Sequence, residues 1–179
     1  MIHFRNNASK SLEVILWFAQ KRPGIDFHAI LKLLFFADKE HLNQHGRPIV
    51  GGAYNALPYG PVSQPTYDIL KRDPLALEVL GVHEDPPFVV KGNYCVHGTR
   101  GPDLRKLSRT DLQALEKVWA EYGKLGFNAL TEESHKHPAW QNADAEGRQR
   151  MLYEEFLEGE RASPEVVAEL RSSARRMRV

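Results

Sequence analysis

The chain has 179 residues, a formal net charge of +1 and a hydrophobic fraction of 42%. This length suits one compact domain, or one domain with a small appendage, and the apolar fraction is sufficient for an ordinary core. So small a net charge excludes long-range attraction to nucleic acid or to an anionic membrane.

The sequence also limits the compartment in which we expect the protein. Cys95 is the single cysteine, which excludes an intramolecular disulfide and a zinc site with several cysteine ligands. Residues 1–7 lack the basic and then apolar pattern of a signal peptide. No stretch approaches the roughly 20 apolar residues that a membrane helix needs. We therefore expect a cytoplasmic protein without a membrane partner.

Apolar residues at helical spacing predict two helices in the first part of the chain. The first is expected at residues 9–22, and Pro23-Gly24 stops it. Asp26 is placed to cap the second helix. Because residues 27–37 are apolar nearly all round, this second helix should be the buried central helix. Gly46 is placed to end it.

The middle of the chain is richer in turn residues. Residues 48–58 are predicted to be extended or in turns, because they hold several glycines and prolines. A short helix should follow. Two short apolar runs, 88–90 and 94–96, flank Lys91-Gly92-Asn93, and this spacing predicts a β-hairpin.

The last third again shows helical signals. Ser108 and Asp111 form an imperfect capping box at the start of a long helix. Thr131 is expected to open a short helix, and residues 148–157 are weakly helical. Ser163-Pro164-Glu165 is a strong helix start, because proline at the first helical position loses no needed N–H.

These elements predict a mainly α fold, a compact multi-helix domain with a small β-hairpin or short antiparallel sheet. We divide the chain into a main domain at residues 1–141 and a C-terminal helical extension at 142–179 that packs on it.

One group of polar residues could bind a metal. Asp38, His41 and His45 are spaced by three and four residues, which places them on one helix face, and two imidazoles with a carboxylate can ligate a metal. The spacing lacks the glutamate of zinc peptidases, so a polar helix end is the better interpretation. Asp38 is expected to be partly buried and bound by Lys32, Arg47 or a tyrosine hydroxyl. We predict no metal and no cofactor.

A second cluster lies in residues 134–140 and contains a serine, His135, His137 and Trp140. Ser–His catalysis would normally need a strained nucleophile turn, and no Gly-x-Ser-x-Gly motif is present. No glycine-rich phosphate-binding loop is present either. We expect Trp140 to anchor the turn in the core and His135 to bond to the backbone. No catalytic residue is predicted, and the protein is not expected to be an enzyme.

Two surface features favour binding instead. Arginines near the C-terminus could contact nucleic acid phosphates, the helix dipole or an acidic protein; they are Arg171, Arg175, Arg176 and Arg178. The loop at 54–62 combines rigid turn residues with Tyr54 and Tyr59. Tyrosine is common at protein interfaces, although a packed structural turn is an equally good interpretation.

Several of these segments together resemble the signature of the Panacea domain, the SocA-like antitoxin family. The first block runs from Lys32-Leu33-Leu34-Phe35-Phe36-Ala37-Asp38 to His41, and continues with Gly46-Arg47-Pro48-Ile49 and with residues 54–62. Residues 130–135 and Pro138-Ala139-Trp140 resemble the family's C-terminal block. The resemblance covers roughly residues 9–140.

The resemblance implies an antitoxin that binds and neutralises a cognate toxin protein encoded next to it. Toxins neutralised in this family include alarmone-synthetase-like proteins. It also allows a role as a proteolytic adaptor that delivers the toxin to an ATP-dependent protease. It carries over no catalytic residues. We predict a partner-binding surface that includes Tyr54, Tyr59, Asp38, His41 and His45, and we leave a homo-oligomer open. The alternatives are a nucleic-acid-binding regulator and, less well supported, a metal-dependent hydrolase.

Overall fold

The computed structural model describes residues 1–81, 85–177 and 179. Within them the protein is mainly α-helical, with two small antiparallel sheets, which confirms the predicted fold class. The helices are α1 (Ala8–Lys21), α2 (Phe27–His45), α3 (Gln64–Leu70), α4 (Pro74–Val79), α5 (Arg109–Tyr122), α6 (Phe127–His135), α7 (Pro138–Ala145) and α8 (Pro164–Ser173). The strands are β1 (Ile25–Asp26), β2 (Tyr54–Leu57), β3 (Gly60–Ser63), β4 (Phe88–Lys91) and β5 (Cys95–Gly98).

Helix α2 is the centre of the fold, as predicted. The side chain of Asp26 accepts a hydrogen bond from the N–H of Ala29 at 2.8 Å, so it caps the helix. Gly46 ends the helix in the left-handed conformation at a φ of 73°, which glycine adopts without steric cost. All residues from Ala29 to Asp38 are buried. Helices α1, α3, α5 and α6 all contact α2, so its position determines theirs.

The predicted hairpin at 88–96 is confirmed. Strands β4 and β5 pair antiparallel, and Phe88 lies opposite Gly98. The two-residue strand β1 adds to β5, so the hairpin becomes a three-stranded sheet next to the start of α2.

A second hairpin, β2–β3, lies in the segment that we predicted only as extended or turn structure. Its strands pair from Tyr54 opposite Ser63 to Leu57 opposite Gly60, with Pro58 and Tyr59 between them. Gly60 has a φ of 97°, and a Cβ there would lie 2.8 Å from Cε of Lys32. Glycine is therefore needed at this position both for its conformation and for the close approach to α2.

The helices after residue 70 agree only in part with those predicted from the sequence. The capping box is present, with Ser108 Oγ accepting from the N–H of Asp111. Helix α4 was not predicted, and none of its residues is buried. Helix α6 begins at Phe127, four residues before the predicted start, and its N-cap Gly126 offers no side-chain hydrogen bond that would mark this start in the sequence.

The segment at 146–157 contains no α-helix and is irregular up to residue 152, so the prediction of weak helix at 148–157 was wrong except for a 3-10 turn at Tyr153–Phe156. It runs beside β2, because Ala56 N–H donates to the carbonyl of Gln149 and Met151 N–H donates to that of Tyr54. Phe156 is buried and contacts Phe35 of α2 at a ring-centroid distance of 5.4 Å. The segment thus shares the core, and a boundary at residue 141 stays a prediction.

Helix α8 begins at Pro164, as the sequence predicted. None of the helices in the described ranges is both long and apolar enough to cross a membrane.

The central helix provides a test of the fold. Leu34 is fully buried in α2, so Leu34→Ala should lower the free energy of unfolding by about 2–5 kcal/mol, the usual loss for an aliphatic core cavity. Leu75→Ala, at an exposed position of α4, is the matched control and should change it by about 0.5 kcal/mol or less. Urea unfolding measures both. Equal effects of the two substitutions would contradict the central placement of α2.

Candidate functional site

The five residues predicted to bind a partner separate into two groups. Asp38, His41 and Tyr54 are buried, so in this structure their side chains cannot contact another protein directly. Tyr59 is 64% exposed, and His45 is also exposed. The predicted contact surface is thereby reduced to Tyr59 and His45, and their role in binding stays a prediction.

Asp38 is a buried, hydrogen-bonded carboxylate, which was the alternative to a metal ligand. Its carboxylate accepts hydrogen bonds from the N–H groups of Ile49 (2.8 Å) and Val50 (3.1 Å) and from the hydroxyl of Tyr54 (3.0 Å). Burial raises the pKa of Asp38 to about 7, although the three donors favour its ionised form. Of the partners proposed from sequence, the tyrosine hydroxyl is correct, whereas Lys32 and Arg47 bond elsewhere.

Both ring nitrogens of His41 lie at hydrogen-bond distance from other groups of the protein. Its Nδ1 lies 2.7 Å from the carbonyl oxygen of Arg47, and its Nε2 lies 3.0 Å from the hydroxyl of Thr110. Burial lowers the pKa of His41 to about 4. In residues 1–81, 85–177 and 179, no three or more His, Cys, Asp or Glu side chains form a group that could hold a metal ion.

Asp111 joins three helices through a buried charge cluster. Lys10 of α1 contacts its carboxylate at 2.6 Å, and Arg47, just after α2, contacts it at 3.1 Å. Burial alone would raise the pKa of Asp111, but the hydrogen bonds from Lys10 and Ser108 and the two cationic charges lower it below its ordinary value. The cluster is satisfied within the protein, so we assign it to stability.

The cluster at 134–140 does not bring a serine and a histidine together for catalysis. Ser134 is buried, and its hydroxyl donates to the carbonyl of Thr131. Trp140 does anchor the turn, because its indole N–H donates to the carbonyl of Leu57 at 3.1 Å. His135 stacks on Trp140 at 3.6 Å between ring centroids, instead of forming the backbone hydrogen bond that we expected.

An apolar groove of about 510 Å³ lies where the start of α2, the β2–β3 turn, the β4–β5 turn and the start of α6 meet. Three exposed aromatic side chains line it: Tyr59 (64% exposed), Tyr94 (67%) and Phe127 (49%). The other lining residues are Asp26, Phe27, His28, Leu31, Lys32, Leu57, Gly60, Val62, Tyr67 and Asn93. This aromatic groove is the strongest candidate for a binding site among the described residues.

The aromatic residues of the groove support one another. Phe127 stacks on His28 at 4.0 Å and contacts Tyr59 edge-on at 5.5 Å. Nε2 of His28 lies 3.0 Å from the hydroxyl of Thr131, which fixes the imidazole against α6. On the opposite side Tyr94 contacts the ring of Phe27 at 5.4 Å. Their orientation is therefore largely determined before any partner arrives.

Lys32 forms part of the groove lining and is only 1% exposed. Its ammonium group donates one hydrogen bond, to the carbonyl of Pro61 at 2.9 Å. Burial lowers the pKa of Lys32 to about 7. Sequence reasoning placed Tyr59 on a binding surface but missed Lys32, Tyr94 and Phe127 in this role, because only the tertiary fold brings them together.

Two of the C-terminal arginines contact other groups of the protein. Arg171 contacts Glu154 at 3.1 Å, and Arg176 reaches the carbonyl of Ser172 at 3.5 Å. Arg178 lies outside the described residues. These contacts leave less free cationic surface for nucleic acid than the sequence suggested.

Three histidines, of which His41 and His137 are buried and His28 is half-buried, should make the fold sensitive to acid. Burial lowers the pKa values of His28, His41 and His137 from 6.5 to about 4. The unfolded chain therefore takes up these protons near pH 6.5, whereas the folded protein takes them up only near pH 4. Their contribution to stability is complete above pH 6.5 and is lost as the pH falls toward 4.

His137→Asn should reduce this loss. Nδ1 of His137 accepts from the N–H of Ala139 at the start of α7, and asparagine is also a good N-cap acceptor. The variant should be less stable at neutral pH, because the ring contact with Phe35 is lost, but its stability should fall less between pH 7 and pH 4.5. Urea unfolding at each pH measures the slope, with the exposed His45→Asn as control. Equal slopes for the wild type and His137→Asn would contradict this assignment.

Comparison with known proteins agrees with the signature in the sequence. A family model described as "Antitoxin SocA-like, Panacea domain" matches residues 30–141, well over half of the chain. The matched range includes most of α2, the β2–β3 hairpin and the start of α6, and thus much of the aromatic groove. No curated protein and no solved structure was found to match. The chain belongs to the SocA-like antitoxin family that is defined by the Panacea domain.

Proposed function

We propose that this protein is an antitoxin that neutralises a cognate toxin by direct binding, and that the aromatic groove is its contact surface. The observation that carries the proposal is the convergence of Tyr59, Tyr94 and Phe127 on one concave, apolar surface. Single exposed apolar residues are normal on protein surfaces. Three large aromatic residues around one groove are typical of a protein interface.

The fixed orientation of these side chains favours binding. Phe127 is held by His28, and the Pro58-Tyr59 turn is held between paired strands. A side chain that is already ordered loses little conformational entropy in a complex, so more of its contact energy contributes to affinity. Aromatic residues of this kind are often the hot spots of an interface.

The alternatives from the sequence have less support. Asp38 and His41 direct their polar atoms to the backbone and to neighbouring hydroxyls, which leaves little for the chemistry of a hydrolase. Arg171 is engaged by Glu154, which weakens the case for a nucleic-acid-binding helix. Binding to another protein remains the function that uses the exposed features of the fold.

We further propose that the toxin is encoded by the adjacent gene, and that binding alone is sufficient for neutralisation. Co-expression should then restore growth, and the two proteins should co-purify. An adaptor mechanism would in addition require an ATP-dependent protease. Rescue that disappears when such proteases are deleted would favour that mechanism over simple occlusion.

The groove is tested by truncating its aromatic residues. Tyr59→Ala and Phe127→Ala should each weaken toxin binding by about 2 kcal/mol or more, a roughly 30-fold change in Kd. Both side chains are about half exposed or more, so the melting temperature should change little. Leu104→Ala, 49% exposed outside the groove, should leave both quantities unchanged. Titration calorimetry with the toxin measures affinity.

Two results would count against the proposal. One is a large loss of stability in Tyr59→Ala with normal affinity of the folded fraction, which would make the turn a structural element. The other is self-association of the purified chain that Phe127→Ala abolishes, since the groove would then be occupied by a second copy of the protein.

A further inference from the structure

The aromatic groove contains one carboxylate, and only one of its two oxygens is used by the fold. Asp26, at the start of α2, belongs to the groove lining. Its Oδ1 accepts from the N–H of Ala29 at 2.8 Å. Its Oδ2 forms no hydrogen bond or salt bridge with a described residue, and it is not among the buried oxygens that lack a partner. This second oxygen is therefore open to solvent or to an occupant of the groove.

The cationic residue of the lining is turned away from solvent. Lys32 is 1% exposed, and its ammonium group donates to the carbonyl of Pro61 at 2.9 Å. Burial lowers the pKa of Lys32 to about 7, so the side chain is largely neutral above that pH. His28, with its pKa lowered to about 4, is neutral as well. The carboxylate of Asp26 is thus the charge that the groove presents to an approaching partner.

Aromatic rings lie next to this carboxylate. Phe27 follows Asp26 in the chain, and its ring centroid lies 5.4 Å from that of Tyr94 and 6.5 Å from that of Tyr67. The face of an aromatic ring attracts a cation. Tyr67 already shows this attraction, because Nζ of Lys71 lies 4.5 Å from its ring centroid. A carboxylate beside exposed aromatic faces is a combination that binds cationic side chains.

Tyr94 keeps its position in a disfavoured backbone conformation. Its φ is 61°, in the left-handed region that residues other than glycine rarely adopt. Its carbonyl accepts from the N–H of Phe27 at 3.2 Å, which attaches the β4–β5 turn to the start of α2. The side chain is nevertheless 67% exposed. The fold therefore holds an exposed ring beside Asp26 at a conformational cost, and such strain is concentrated at functional sites.

We infer that the aromatic groove binds an arginine side chain of the partner toxin, which stacks on Tyr94 and pairs with the free oxygen of Asp26. This inference rests on the proposed function, because it specifies the chemistry of the segment that the groove receives. Arginine fits better than lysine, because its planar guanidinium stacks on a ring while it donates to a carboxylate. The apolar residues that flank the arginine pack against Tyr59 and Phe127.

The charge can be removed without removing the helix cap. Asparagine caps a helix about as well as aspartate, so Asp26→Asn should melt close to the wild type while its affinity for the toxin falls roughly tenfold. Asp73→Asn is the matched control. Asp73 caps α4 in the same way, through the N–H groups of Leu75 and Ala76, and it lies outside the aromatic groove. This variant should bind the toxin normally.

Two substitutions of Tyr94 test the ring itself. Tyr94→Phe keeps the aromatic face and should bind within about twofold of the wild type. Tyr94→Leu keeps an apolar side chain without a ring face and should bind roughly fivefold more weakly. Both replacements must adopt the same positive φ, so their melting temperatures should agree. Equal affinities of the two variants would contradict stacking of a cation on this ring.

The pH dependence separates a cationic occupant from an acidic one. Lys32 loses its charge as the pH rises from about 6.5 to about 8.5, so its repulsion of a bound cation disappears. The affinity should therefore rise over this range, and complex formation near pH 7 should release protons. Two other ionisable groups near Lys32, His28 (pKa about 4) and His135 (pKa below 6.5), stay neutral, and Asp26 is the carboxylate to which the cation binds. An affinity that falls with rising pH in the wild type but not in Lys32→Met would contradict the inference.

The decisive experiment is a double-mutant cycle in titration calorimetry with the toxin from the adjacent gene. Exposed arginines and lysines of the toxin are replaced one at a time by glutamine. One arginine replacement should weaken binding to the wild type roughly tenfold and binding to Asp26→Asn only slightly. If Tyr59→Ala and Phe127→Ala weaken binding but no cationic residue couples to Asp26, this inference is wrong and the proposed function stands. If none of the groove variants weakens binding, the groove is not the interface and both proposals are wrong.

Discussion

The carboxylate of Asp38 is the interaction on which the geometry of this protein most depends. Asp38 is a fully buried residue of α2, and its carboxylate accepts hydrogen bonds from the backbone N–H groups of Ile49 and Val50. These bonds attach the segment after the helix back onto it. The hydroxyl of Tyr54, the first residue of β2, donates to the same carboxylate. Asp38 thereby fixes the position at which the β2–β3 hairpin begins. The turn of this hairpin places Tyr59 at the groove.

This arrangement gives a physical reason for the family signature. The structure explains the spacing of these motifs: Lys32 and Asp38 lie on α2, Gly46 ends the helix, and Gly60 lets the hairpin approach it. Most of these residues stabilise the fold. Lys32 stands apart, because its buried ammonium donates to the carbonyl of Pro61 and, among the described residues, to no carboxylate.

The parts of the fold that local chemistry determines could be predicted from the sequence. The cap at Asp26, the glycine stop at Gly46 and the capping box at Ser108 each depend on residues within one helical turn. The pairing of residues 149–151 with β2 could not be predicted, because it joins segments about a hundred residues apart. Helix α6 begins at Phe127, and its N-cap Gly126 has no side chain to cap it, so no local signal marks this start.

The same distinction applies to the candidate site. Tyr59 stood out in the sequence because a rigid turn presents it. Asp38 and His41 were recognised as unusual, but their burial makes them structural rather than contact residues. Tyr94 and Phe127 are ordinary residues in sequence, and they line the groove only because α6 and the β4–β5 turn meet at the start of α2.

Hydroxyl-radical footprinting of the free protein and of its complex with the toxin tests the central claim most directly, because it reports the exposure of individual aromatic side chains. If the aromatic groove is the interface, oxidation of Tyr59, Tyr94 and Phe127 falls strongly in the complex, while oxidation of the exposed Leu104 is unchanged. Unchanged oxidation of all three aromatic residues, with protection confined to residues 163–177, would contradict it and place the contact surface on the C-terminal segment.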